Sequence, residues 1–152
     1  MAAKKSGSKQ NHLFSETEEL IARLRHDDRM YPVMLWIPDT IGTGTKAKKI
    51  AEARVMQWLG VAREVFADCY EGATCFRSHS GIWKDDRGNY HLDQPYIVQT
   101  IATKEDIEDE VYLNDLVRLA KRMGKDMTQE CILIAVANIR FYISDYSDIP
   151  EV

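Results

Sequence analysis

The sequence predicts an α+β fold in the order strand, helix, strand, strand, helix, strand, on three observations. Ala51, Val55, Trp58, Ala62, Val65 or Phe66 and Cys69 recur at steps of three and four, and Ile107, Val111, Leu116, Leu119 or Ala120 and Met123 form a second stripe, so two amphipathic helices are expected. A charged turn, Asp85-Asp86-Arg87-Gly88, lies midway between two β-prone runs and reads as a hairpin loop. An unbroken apolar stretch, Cys131 to Ser144, suits a central strand covered on both sides. Together these give the ferredoxin-like order βαββαβ, in which two helices cover one face of a four-stranded antiparallel sheet and the other face is left needing cover.

Each element has a local reason. Tyr31 to Ile37 is compact, apolar and closed by Pro38, which reads as the first strand. The loop DTIGTGT follows, and the helical pattern starts from Thr45 and stops at Glu71-Gly72. Ala73 to Lys84 and Asn89 to Thr103 are the hairpin strands. Thr103 caps the second helix, acids occupy its first turn and Gly124 is placed just past its end. Ahead of the first strand, Ser15 and Glu18 have the form of a capping box, so a short leading helix is expected to run to about Arg25.

The chain has 152 residues, 45% apolar and 29% charged, which suits one soluble domain. Residues 1 to 12 read as a disordered tail, 13 to 146 as the domain with its leading helix, and 147 to 152 as an acidic tail. The N-terminal lysines are not followed by an apolar segment of secretory type, so a cytoplasmic location is expected, with no membrane association. Cys69, Cys75 and Cys131 show no metal-ligand spacing and read as small buried apolar groups; neither a metal nor another cofactor is expected. A net charge of −4 argues against a nucleic-acid surface.

Gly72-Ala73-Thr74, Gly81-Ile82-Trp83-Lys84-Asp85-Asp86-Arg87-Gly88 and Gln129-Glu130-Cys131-Ile132 resemble the short motifs of a bacterial family of small ferredoxin-like domains without an assigned activity. The resemblance covers roughly the C-terminal half and implies the fold. His91-Leu92-Asp93-Gln94-Pro95 departs from the acidic and basic pair which that family places after the turn.

Three groups of residues are candidates for function. With Lys84 facing Asn89, Trp83 faces Tyr90 as an aromatic pair, and Arg77 and His79 share a face with Gln94, where His79 is a candidate base and Arg77 an anion clamp. His91 and Asp93 lie side by side on the opposite face. A bulge at Gly88 would move this register by one residue. Gly42, Gly44 and Lys46, between a strand and a helix start, are the parts of an anion site. Asn138, Arg140 and Tyr142 alternate along the last strand and suit a ligand face or an interface.

Because no spacing assembles a catalytic set, the leading expectation is a non-enzymatic module for protein interaction or oligomerisation, a homodimer or a subunit of a bacterial or phage assembly. The alternatives are a small-molecule or phosphate binder or hydrolase using Arg77, His79, Gln94 and Arg140 on the open sheet face, and a weak nucleic-acid binder using Lys46, Lys48 and Lys49.

Overall fold

A computed structural model describes residues 29–42, 46–84 and 87–150. The leading helix, the N-terminal tail and Gly44 lie outside the described residues. The chain runs β1 (Tyr31–Ile37), β2 (Thr40–Ile41), β3 (Lys48–Lys49), α1 (Glu52–Tyr70), β4 (Thr74–Arg77), β5 (Gly81–Lys84), β6 (Tyr90–Asp93), β7 (Tyr96–Ala102), α2 (Lys104–Glu108), α3 (Glu110–Asp126), β8 (Ile132–Val136) and β9 (Ile139–Ile143). The main sheet is antiparallel with the order β4-β7-β1-β8-β9. Its first four strands have the ferredoxin-like order, and β9 is an added edge.

Strand alternation divides the sheet into two faces. Val33, Leu35, Ile37, Val98, Ile132 and Ile134 are buried and meet Val55, Leu59, Ala62 and Phe66 of α1 and Leu116, Ala120 and Met123 of α3 in one core. The other face carries Met34, Trp36, Phe76, Ile97 and Ile101, with Phe76 and Ile101 more than two-fifths exposed.

The structure corrects several expectations, each for a local reason. The stretch from Cys131 is two strands rather than one: Ala137 and Asn138 both take positive φ, 51° and 68°, and turn the chain back as a two-residue hairpin loop. The helix expected from Thr103 is two helices. Thr103 and Asp106 form a reciprocal capping box, and then Asp109, extended at ψ 114°, caps α3 by accepting from the Val111 and Tyr112 N–H groups. The stop expected at Glu71-Gly72 is met, with Glu71 in the left-handed position that ends α1. Cys69 is buried, whereas Cys75 is half-buried and Cys131 exposed.

Gly124 sits inside α3, which runs on to Asp126, rather than beyond its end, and residues 144–150 strap back across the helix. Tyr146 packs so closely on Gly124 that a Cβ there would fall within its ring. Lys121 holds Asp148 through both carboxylate oxygens at 2.9 Å, and Lys125 donates to the Ile149 carbonyl. Alanine normally stabilises a helix interior relative to glycine by about 0.5–1 kcal/mol. Here the sign should reverse: Gly124→Ala is expected to lower stability by about 1–2 kcal/mol and to loosen the tail, seen as faster amide exchange confined to residues 144–150.

Candidate functional site

Where β1 runs out, Pro38 ends the pairing with β7 and delivers Asp39 to the sheet edge. The small β2–β3 ribbon then brings the chain back, the Ile50 N–H donating to the Asp39 carbonyl at 2.9 Å, so that Lys49 stands beside the Asp39 side chain. On the other flank, β4 ends at Arg77, opposite Tyr96 at the start of β7.

Asp39 is 4% exposed. Its carboxylate accepts from the Lys49 ammonium at 2.5 Å, from the Gln94 backbone N–H at 3.2 Å and from the Arg77 guanidinium at 3.4 Å. Arg77 also lies over the Tyr96 ring, 5.4 Å from its centre. Burial pushes the Asp39 pKa up, but Lys49, the Gln94 N–H and Arg77 outweigh it, so the carboxyl stays below the ordinary aspartate value and is ionised at neutral pH. Asp39, Lys49, Arg77 and Tyr96, with Ile50, Glu52 and Val55 from the start of α1, line a cavity of about 220 Å³. Two carboxylates, the buried Asp39 and the exposed Glu52, two cations and an aromatic ring thus converge on a small space with an apolar wall. Such a space can orient a ligand bearing charges of both signs.

The hairpin beyond Arg77 is not continuous with the sheet. Pairing continues through the Ser78 N–H, which donates to the Pro95 carbonyl at 2.8 Å, and then slips by one residue, so the ribbon pairs Gly81 with Asp93, Ile82 with Leu92, Trp83 with His91 and Lys84 with Tyr90. The expected Trp83–Tyr90 pairing is therefore corrected. Tyr90 instead lies opposite Lys84, whose ammonium is 5.6 Å from the ring centre. Asp93 occupies the space a side chain at Gly81 would need. Burial first, and then the negative charge of Asp39, raise the Asp93 pKa. Its folded-state value lies above its unfolded one, so ionisation costs stability above that value and nothing once both states are protonated. Asp93→Asn is accordingly expected to raise the thermal midpoint by about 1–3 °C at pH 7 and to leave it unchanged at pH 3.

Of the candidates read from the sequence, Arg77 and Gln94 are brought to one place, Gln94 by its backbone N–H to Asp39 and by its side-chain amide to the His79 carbonyl at 2.7 Å. The His79 side chain is exposed and joins no cluster at Asp39. Arg140 and Tyr142 lie on the open face of the edge strand β9, while Arg77 is on the helix-covered face, so the set Arg77, His79, Gln94 and Arg140 does not form one surface. Asn138 is in the β8–β9 turn. The expected anion loop is also altered. The long helix α1 begins at Glu52 instead of Thr45, so Gly42 and Lys46, both exposed, are not at its N-terminus, and Lys49 engages a carboxylate. His91 is buried. Among the described residues no group of three His, Cys, Asp or Glu side chains could hold a metal ion, and no helix is long and apolar enough to cross a membrane.

Fold and site together define an α+β domain of ferredoxin-like order with a charge-lined cavity at the end of its central strand. The chain is similar in fold to a phage SAM lyase, solved in complex with S-methyl-5'-thioadenosine (TM-score 0.53, 14% identity, 82% of this chain and 97% of that one) and in the apo state (TM-score 0.51, 13% identity, 80% and 94%). No protein-family model and no curated protein sequence matches the chain. The expectation of a non-enzymatic association module is corrected by this likeness, since the similar fold belongs to an enzyme. That expectation rested on the lack of a catalytic set in the spacing, and the Asp39 cluster is a group of charged residues that spacing does not show.

Proposed function

We propose that the chain is an enzyme that breaks a carbon–sulfur bond in a sulfonium nucleoside of the SAM type, at the Asp39 cavity. The observation that carries the reading is the buried, ionised Asp39 held between Lys49 and Arg77 beside Tyr96. The fold shared with a phage SAM lyase supports it.

The chemistry suits this site. A SAM-type molecule carries a sulfonium, an ammonium and a carboxylate close together. Arg77 and Lys49 offer cations to the carboxylate, Asp39 offers an anion to the ammonium, and the Tyr96 ring offers a face to a base or a cation. When the bond breaks, both of its electrons go to sulfur, which leaves as a neutral thioether, while an oxygen of the substrate's own carboxylate gives its electron pair to the carbon and closes a lactone. Positive charge on sulfur therefore disappears along the reaction, and removal from water favours such a step because the charged ground state loses more solvation than the transition state. A small cavity with fixed charges is then sufficient without a nucleophile and base at recognisable spacing. The depressed pKa of Asp39 makes it a poor proton acceptor, so its part is electrostatic.

Titration calorimetry with S-methyl-5'-thioadenosine tests the site. Binding should be measurable, and Tyr96→Ala should weaken it by about tenfold or more while the chain still melts cooperatively. Absence of binding, or binding indifferent to Tyr96→Ala, would contradict the assignment. The apolar open face with Met34, Trp36 and Phe76 supports association of this enzyme with a second copy or a protein partner, which light scattering at micromolar concentration checks.

A further inference from the structure

A second cavity, of about 590 Å³, lies between α3 and the C-terminal strap, apart from the Asp39 site. Its walls are of two kinds. Arg118, Lys121 and Arg122 stand at positions i, i+3 and i+4 of α3 and so line one side of the helix, while Val117 and Pro150 supply apolar surface. Against these three cations the lining carries one carboxylate, Asp148. In a chain of net charge −4 this local excess of two positive charges stands out.

The three cations differ in how they are engaged. Lys121 is one-fifth exposed and grips Asp148 through both oxygens at 2.9 Å. Arg118 meets Asp115 only at 3.8 Å, in an exposed i,i+3 pair. The Arg122 guanidinium lies over the Trp58 ring, 5.9 Å from its centre, and Trp58 is anchored in turn by donating its indole N–H to Asp126 at 2.6 Å. Arg122 is thus steered by a ring face rather than held by a carboxylate.

We infer that this cavity is a binding site for a nucleoside phosphate, with the phosphates on Arg118, Lys121 and Arg122, the base against Val117 and Pro150, and Asp148 of the strap competing for Lys121. The volume lies within the range of small-molecule sites, and guanidinium pairs with a lysine between them are suited to a diphosphate group. An extended polyanion fits less well, because the strap closes one side of the cavity and the surrounding chain is acidic.

The test is a calorimetric titration of the full chain with ADP and with adenosine. ADP should bind about tenfold or more tightly than adenosine, the double variant Arg118→Ala, Arg122→Ala should lose about tenfold or more of the ADP affinity, and Asp148→Asn should bind ADP several-fold more tightly because the competing carboxylate is gone. Saturation with S-methyl-5'-thioadenosine should leave ADP binding intact, which separates this site from the Asp39 cavity whether or not the proposed activity holds. Equal affinity for ADP and adenosine, undiminished binding by the double variant, no gain with Asp148→Asn, or displacement of ADP by S-methyl-5'-thioadenosine would each overturn the assignment.

Discussion

Asp39→Asn is expected to reduce carbon–sulfur bond cleavage by about a hundredfold or more and to cost about 2 kcal/mol of stability at pH 7. The substitution keeps the shape and an acceptor for the Gln94 N–H but removes the charge that Lys49 and Arg77 share. Breaking a fully buried ion pair costs about 3–5 kcal/mol, and the lower figure applies here because the Lys49 and Arg77 side chains are 64% and 46% exposed and keep much of their hydration. Activity should fall further than stability, since the cavity then loses the buried charge that Lys49 and Arg77 share and keeps only the exposed Glu52 against them. The pH dependence has a definite sign. The folded-state pKa of Asp39 lies below its unfolded one, so its stabilisation is fully present above about pH 4 and is lost as pH falls through the lowered value. Denaturant melts of the two proteins should therefore differ at pH 7 and converge in strong acid.

Phe66→Ala is expected to cost about 4 kcal/mol and to lower the thermal midpoint by about 10 °C. Phe66 is fully buried one turn before the end of α1, meets Tyr70 edge to face at 5.6 Å, and Tyr70 meets Tyr112 of α3 at 5.9 Å. The chain of three rings ties the two main helices together over the sheet. Burial pushes the Tyr70 phenol far above its ordinary range, so the ring stays neutral wherever the fold persists. Removing Phe66 leaves a cavity that the stiff sheet beneath cannot fill. Scanning calorimetry reads the shift directly, and a loss under 2 °C would show that α1 repacks freely.

The helices and the first strand were legible because their signals are local. Val55, Trp58, Ala62, Phe66 and Cys69 of α1 and Leu116, Leu119, Ala120 and Met123 of α3 repeat with the helical period and are buried in the structure. What local signals missed is instructive. Apolar continuity from Cys131 to Ile143 concealed a hairpin turn, because the two residues at its tip, Ala137 and Asn138, do not include the glycine that usually marks one. Asp109 interrupts a helical stripe without breaking its period, although an aspartate before Glu110 is itself a capping signal. The ribbon register slipped by one residue, moving Tyr90 from Trp83 to Lys84.

The Asp39 cluster was the least legible part. Its members are 10, 38 and 55 residues from Asp39 along the chain, and each belongs to a different element, so no spacing rule connects them. Arg77 and Gln94 were picked out for other reasons, Lys49 was read as part of a helix and as a nucleic-acid contact, and Asp39 and Tyr96 were read as loop and strand residues. One signal was present: an aspartate directly after the proline that ends a central strand, at the end of a sheet where ligands often bind.

The most direct measurement is product formation by the purified chain. Incubated with S-adenosylmethionine and followed by chromatography, the unmodified protein should release S-methyl-5'-thioadenosine in proportion to enzyme and time, and Asp39→Asn and Arg77→Ala should each release about a hundredfold less under conditions where both remain folded. No release above the protein-free reaction, or equal release by folded Asp39→Asn, would contradict the account.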